Sequence, residues 1–238
     1  MPIIRPDANT DRPPERRLYQ LVADRLRALI QEGNFRIGDR LPSERELALQ
    51  LGVSRPSLRE ALIALEIEGA VEVRMGSGIY VLSITEQRSL PIGSIGESPV
   101  ELMQARAVVE GAVILMAAPR MTPEVFASLR KSLDDMRISI AEGTKPLDDD
   151  RRFHLTIAKH AGNGVLSRMV RDLFDERHSP LSAKFRHRFE TVAGWKLALS
   201  EHETILSALE AGDPLLAQAM MHVHIAQSGL RWLGSDDR

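Results

Sequence analysis

There is no cysteine anywhere in the 238 residues, which excludes disulfide scaffolds, thiolate nucleophiles, iron–sulfur clusters and cysteine-held zinc. Aromatic residues make up only 4%, sparse for a β-sandwich or a carbohydrate-stacking module and comfortable in a helical protein. Charge of one sign is not in excess either: 31 Lys+Arg stand against 33 Asp+Glu, a formal net charge of −2. The molecule is no generic polycation, and any nucleic-acid contact has to come from locally placed charge. Long hydrophobic runs are missing. The most apolar stretch, Gly111 to Pro119, is far shorter than the about 20 residues that a membrane-spanning helix needs. The opening residues Met1-Pro2-Ile3-Ile4-Arg5-Pro6 carry no apolar signal core, and Asp7 and Asp11 do not suit a transit peptide. A soluble cytoplasmic protein with no membrane partner is the expectation.

What is present is an apolar fraction of 43%, enough to build the cores of two ordinary domains. Residues 1–15 hold Pro2, Pro6, Pro13 and Pro14 among polar neighbours and read as a flexible arm. From Arg16 onward, Leu18, Leu21, Val22, Leu26, Leu29 and Ile30 recur at helical spacing until Gly33. Ser43-Glu44-Arg45-Glu46 is a capping box opening a short helix that presents Leu47 and Leu51 and ends at Gly52. Ser54 caps a third helix, with Pro56 in its first turn and Leu58, Ala61, Leu62 and Leu65 as its apolar stripe. After Gly69 the period changes to two, since Val71 and Val73 alternate with Glu72 and Arg74. Gly76-Ser77-Gly78 then turns the chain into Ile79-Tyr80-Val81-Leu82, a β-hairpin. Residues 83–97, with Pro91, Gly93 and Gly96, read as a linker. Residues 98–233 carry helix starts at Ser98-Pro99 and Thr122-Pro123 and helix stops at Gly143, Gly162 and Gly212. The expectation is a mainly α protein: a winged helix-turn-helix over 16–82 and an all-α bundle of six or seven helices over 98–233.

In a helix-turn-helix, the second helix lies in the major groove with its N-terminal residues against base edges. Arg55 and Arg59, four apart, share one face of that helix, with Ser54 and Ser57 beside them. The planar fork of arginine can bond guanine O6 and N7 together or grip a phosphate. Arg45, one helix earlier, is placed for the DNA backbone, and the wing tip from Arg74 through Gly76 is small enough to approach a groove. An arginine pair at this spacing is, taken alone, an ordinary solvated face. Moreover, twelve arginines and twelve Asp/Glu through Leu82 cancel. The order of the parts carries the reading: capping box, short helix, glycine turn, Ser-Arg-Pro helix start, wing.

Those parts resemble a known family. Leu41-Pro42-Ser43-Glu44-Arg45-Glu46-Leu47-Ala48, Leu51-Gly52-Val53-Ser54-Arg55, Leu58-Arg59-Glu60-Ala61-Leu62 and Gly76-Ser77-Gly78 look like the GntR-superfamily DNA-binding domain, without gaps from about Leu18 to Val81. The resemblance implies a homodimeric transcription factor on double-stranded operator DNA. Arg45, Arg55 and Arg59 would contact the DNA and the wing near Gly76 would enter the minor groove. Met75 departs from the polar or basic residue usual at that tip and is assigned no base contact. The candidate DNA-contacting set is Arg45, Ser54, Arg55, Ser57, Arg59, Arg74 and Gly76.

All seven histidines fall in the helical half. Asp150 and His154 stand at i, i+4, so a carboxylate and an imidazole converge. His202 and one of His222 or His224 lie amid apolar residues on two later segments. Three imidazoles and one carboxylate would hold a borderline divalent ion with positions left open. Periodicity does not choose between His222 and His224, which point about 200° apart on a helix. Here too there is a resemblance. Asp150-Arg151-Arg152-Phe153-His154, Gly162-Asn163, Glu201-His202-Glu203-Thr204-Ile205, Gly212-Asp213, and Met221 followed by His224 are similar to the FCD sensor domain of FadR-like GntR regulators.

It implies Asp150, His154, His202 and His224 as metal ligands, with zinc first and nickel, manganese or iron as alternatives. It also implies Arg106 as the residue that binds an effector carboxylate, although Glu110, four residues on, offers it an intrahelical partner instead. The expected function is a transcriptional regulator, a repressor before an activator and not an enzyme. Its effector would be a small carboxylate, with a sugar acid suggested by the likeness of residues 61–82 to hexuronate and aldonate regulators. Two alternatives stand beside it. One is a metalloenzyme acting on a small organic acid, against which His202-Glu203-Thr204-Ile205-Leu206 lacks the second histidine of H-E-x-x-H. The other is a DNA-binding regulator whose bundle is metal-free and only dimerises.

Overall fold

The computed structural model describes residues 17–33, 35–83 and 95–232, so the arm and most of the linker read from the sequence lie outside the described residues. The chain divides into two compact units, Met1–Ile95 and Gly96–Arg238. Each is taken by itself.

The first unit runs α1 (Leu18–Glu32), α2 (Glu44–Leu51), α3 (Arg55–Ile67), β1 (Val71–Arg74) and β2 (Gly78–Val81). The stripe of α1 is buried at Val22, Leu26 and Ile30, and packs on α3. At the head of α2 the Ser43 Oγ accepts from the Glu46 amide, while the Glu46 carboxylate accepts from the Ser43 amide at 2.9 Å, a complete capping box. Gly52 ends α2 in the left-handed region (φ 66°), where a side chain would be strained, and Ser54 then caps α3 through the Ser57 amide. That reversal angles α3 across α2. The hairpin is antiparallel with Val71 opposite Val81 and Val73 opposite Ile79, and Val71, Ile79 and Val81 close the core. A bridge from Arg40 to Tyr80 extends it by one partner that the alternation pattern does not reveal.

The second unit is a bundle of α4 (Pro99–Ala117), α5 (Pro123–Ala141), α6 (Leu147–Lys159), α7 (Gly164–Asp175), α8 (Pro180–Phe189), α9 (Val192–Glu210) and α10 (Pro214–Trp232). Ser98, Thr122, Asn163, Ser179 and Thr191 each cap the helix that follows with a side-chain oxygen; of these, Ser98 and Thr122 are legible as helix starts in the sequence, while the break at Ser179 is not. The helix α4 runs through the middle, packed along α10 and against α6 and α7, while α9 packs on α10 and α5. Gly229 of α10 faces Met103 of α4, where a Cβ would make an ordinary van der Waals contact. The core joins Val113, Ile114, Leu129, Met136, Phe153, Ile157, Ile205, Met221 and Ile225. No helix among the described residues is long and apolar enough to cross a membrane.

Candidate metal centre and nucleic-acid interface

Three helices bring polar groups into this otherwise apolar core. Asp150 lies in the first turn of α6, beside Asp148 and Asp149, where the helix N-terminus favours negative charge. His154 follows one turn later, His202 projects from α9 and His224 from α10; all four are at most 3% exposed. One donor atom from each lies within 4.8 Å of the other three. His154 Nε2 is 3.1 Å from His202 Nε2, and Asp150 Oδ1 is 3.7 Å and 3.5 Å from those two nitrogens. A metal held at about 2.0–2.1 Å spaces two ligand nitrogens by about 3.0 Å at a right angle and about 3.4 Å at the tetrahedral angle. The His154, His202 and Asp150 atoms, 3.1–3.7 Å apart, stand close to the separations such an ion requires.

The surrounding groups fix which atom of the His154 and His224 rings faces inward. Glu110 of α4 takes the Nδ1–H of His154 in a short hydrogen bond and is itself gripped by Arg106 Nε at 2.7 Å. Burial alone would raise the Glu110 carboxyl, but Arg106 and His154 hold it down at about 2, so it is an ionised acceptor. With Nδ1 committed to Glu110, the His154 ring turns Nε2 to the cluster. Glu201 does the same for His224, accepting from Nδ1 at 2.8 Å while two bonds from Arg231, at 2.6 and 2.8 Å, hold the carboxylate in place. Burial pushes both His202 and His224 below the ordinary histidine value, keeping them neutral and available as ligands. Burial would raise Asp150 too, yet Arg177 and the three imidazoles hold it well below the usual carboxylate range. Arg177 Nη1 reaches Asp150 Oδ2 at 2.5 Å, which leaves Oδ1 for the cluster. His202 Nδ1 is buried with no hydrogen-bond partner. Carboxylate-buttressed imidazoles around an ionised aspartate fit a divalent cation.

Sequence reading found the four donors and missed their buttresses. Glu110 appeared only as a partner for Arg106, and Arg177, Glu201 and Arg231 had no assigned role. Their signal is three-dimensional, because Arg177 and Asp150 are 27 positions apart and Arg231 and Glu201 are 30. The structure also separates His222 from His224: the first is exposed, the second buried in the cluster. Of the other histidines, His178 and His187 are exposed and His160 caps its own turn through Thr156 O at 2.8 Å. Arg106 is 2% exposed, bonded to Glu110 and placed over the Phe174 ring at 4.4 Å.

In the first unit, Arg45 is exposed in the first turn of α2, Ser54 and Arg55 are exposed at the start of α3, and Ser57 is half-buried with its Oγ 2.8 Å from that of Ser54. Arg59 differs from Arg55. It is 9% exposed and its Nε donates to Glu44 Oε2 at 2.8 Å, tying α3 back to α2 instead of projecting from the same free face. At the wing, Arg74 is exposed, donates to Glu72 at 2.7 Å and lies over the Tyr80 ring. Gly76 turns the tip at φ 70°, with open space around it.

Residues 101–227 match the FCD domain, and residues 18–81 match the bacterial regulatory proteins of the gntR family. The chain belongs to the GntR family. It is a transcriptional regulator with an FCD domain as its C-terminal half, of the FadR-like subfamily. Among similar proteins are the Exu regulon transcriptional regulator of Escherichia coli, 34% identical over 88% of this chain and 82% of the relative. The Uxu operon regulator of Haemophilus influenzae is 32% identical over 88% of this chain and 79% of the relative. A putative L-lactate dehydrogenase operon regulatory protein of Escherichia coli is 33% identical over 89% and 84%. These relatives of the GntR regulator are named as regulators and not as enzymes. A solved structure, E. coli McbR/YncC, aligns over 93% of this chain and 99% of its own, with a TM-score of 0.52 and 22% identity, a likeness of fold alone.

Proposed function

We propose that this GntR-family protein is a metal-dependent sensor of a small organic acid that controls its own grip on operator DNA. The observation that carries the reading is the buried centre: four ligand atoms within 4.8 Å, two of the imidazoles buttressed by carboxylates, in the interior of the bundle. Asp150, His154, His202 and His224 hold a divalent ion, zinc before nickel, manganese or iron. When bound, the ion supplies a Lewis-acidic anchor for a carboxylate and its neighbouring hydroxyl. Glu110, Glu201 and Arg177 keep the donors aimed and ionised. Arg106 neutralises Glu110 and gives the site a positive wall against which an acid can settle. A sugar acid is the effector class, supported by the Uxu and Exu names of two relatives; the L-lactate dehydrogenase name of a third points to a hydroxy acid as well.

At the other end, a homodimer sets two copies of α3 on a two-fold operator, because symmetric half-sites require symmetric readers. Arg55 reads base edges, Arg45 and Ser54 position the backbone, and the Gly76 tip enters the adjacent groove. Effector binding changes the free-energy balance between operator-bound and free forms, a coupling that works equally in both directions. The deciding experiment is a fluorescence-anisotropy titration of labelled operator with metal-loaded protein, with and without hexuronates, aldonates and L-lactate. A shift of operator affinity by one acid, lost after chelation, is the expected result; operator binding indifferent to every acid overturns the sensor reading.

A further inference from the structure

The metal centre leaves a second set of buried polar groups without a task. They lie on one line of α8. Ser182, Arg186 and Glu190 follow each other at i, i+4, so their side chains share one face of the helix and its last turn. Ser182 is fully buried, Arg186 is 9% exposed, and the Glu190 side chain is 5% exposed. Each carries a buried atom with no hydrogen-bond partner: Ser182 Oγ, Arg186 Nε and Glu190 Oε1. Buried polar groups are nearly always satisfied, and a guanidinium N–H with no acceptor is the costliest exception of the three.

This face adjoins the metal donors. Arg177, which bonds Asp150 through Nη1, reaches towards Glu190 Oε1 through Nη2 at 3.6 Å. The polar line thus begins one side chain from Asp150. Its charge is uncompensated: Arg177, Arg186 and Lys145 stand against Asp150 and Glu190, before any metal adds to the positive side. Burial and the neighbouring Arg177 push the Arg186 guanidinium down, and burial pushes the Glu190 carboxyl up against the pull of Arg177 and Lys145. Glu190 pairs with Lys145 through Oε2 at 3.3 Å, which leaves its Oε1 without a hydrogen bond, and the buried Nε of Arg186 has no hydrogen-bond partner. Arg106, by contrast, already has one in Glu110.

We propose that this face of α8 is a ligand subsite, in which Arg186 and Ser182 bind a second carboxylate at the far end of the effector while Glu190 accepts from a hydroxyl beside it. The effector class is then a polyhydroxylated dicarboxylic acid, gripped at one end by the metal centre and at the other by Arg186. The inference rests on the reading of the bundle as an acid sensor. It adds what that reading lacks, a reason for the site to distinguish a long acid from a short one.

The test is calorimetric titration of full-length, zinc-loaded protein with galactarate, gluconate and L-lactate, which share an α-hydroxy acid head and differ in the far end. Galactarate binds tightest to the unmodified protein. Arg186→Gln weakens galactarate by about tenfold or more, since a charge-assisted bond is lost, and moves L-lactate less than about twofold. Metal content stays the same in Arg186→Gln. Arg186→Met without ligand melts at the same temperature or higher, because it removes a buried guanidinium N–H that has no acceptor, whereas a structural arginine would lower the melting temperature on removal. Equal weakening of all three acids by Arg186→Gln, or equal binding of galactarate and L-lactate to the unmodified protein, overturns the subsite while leaving the sensor reading intact. Binding of none of the acids to the unmodified protein overturns both.

Discussion

His154 Nε2 and His202 Nε2 face each other 3.1 Å apart, with the His154 ring already giving its Nδ1–H to Glu110. Two imidazole nitrogens from helices α6 and α9, 48 positions apart in sequence, converge with Asp150 Oδ1 on one point. A cation at that point relieves the crowding of lone pairs, so metal binding and folding of the bundle are coupled.

Removing metal therefore destabilises the second unit. With free zinc at about 100 times its Kd, the folded state gains about 2.7 kcal/mol. Chelation lowers the melting temperature by about 5–10 °C for a domain of this size. His202→Ala abolishes this metal-dependent difference, measured by thermal melting alongside elemental analysis of protein purified without chelator.

The buttressing carboxylates make a graded prediction. Glu110→Gln and Glu201→Gln keep all four ligands but loosen the aim of His154 and His224, and each weakens metal binding by about 10–100-fold. Competition against a chromophoric chelator measures it. The loss for Glu110→Gln is accompanied by destabilisation, since Arg106 is left buried beside a neutral amide.

Arg55 and Arg59 separate by their burial. Arg55→Ala costs about 1–3 kcal/mol of operator affinity and relaxes specificity at one base position, with the melting temperature unchanged. Arg59→Ala breaks the tie to Glu44 and lowers the stability of the first unit by about 1 kcal/mol, since Glu44 keeps access to solvent. Anisotropy titrations on the operator and on a scrambled duplex, with parallel melting curves, distinguish the two.

The capping box gives a pH dependence. The Ser43 amide and hydroxyl hold the exposed Glu46 carboxyl below its ordinary value of 4.5. Its contribution is therefore present above that value and lost as the pH falls through the lower, folded-state value. In Glu46→Gln the acid limb of the stability profile of the first unit is shallower than in the unmodified protein, read from melting temperatures between neutral pH and the acid transition.

Much of this protein is local. Ser43 with Glu46, Gly52, and Ser54 with Ser57 act over three or four positions, so capping, turn and helix start were legible in order, as was the alternation of Val71 and Val73 that makes the wing. The i, i+4 spacing of Asp150 and His154 was legible for the same reason: helical geometry alone brings them together. Family resemblance, not periodicity, selected His224 over His222, and the burial of one and exposure of the other follow that choice.

What the linear pattern does not contain is which distant groups meet. Arg59 and Arg55 are alike in sequence, and only the packing of α3 on α2 turns one onto Glu44 while the other stays exposed. Glu110, Arg177, Glu201 and Arg231 each sit on a helix where a charged residue is ordinary; tertiary packing buries the first two, half-buries the others and assigns each a partner from another helix or turn. The composition and the local periodicities determined the elements and their order. Burial, which exists only once the helices are assembled, decided which charges are neutralised, which histidine lone pairs point inward, and why the Nε of Arg186 is left without a hydrogen bond.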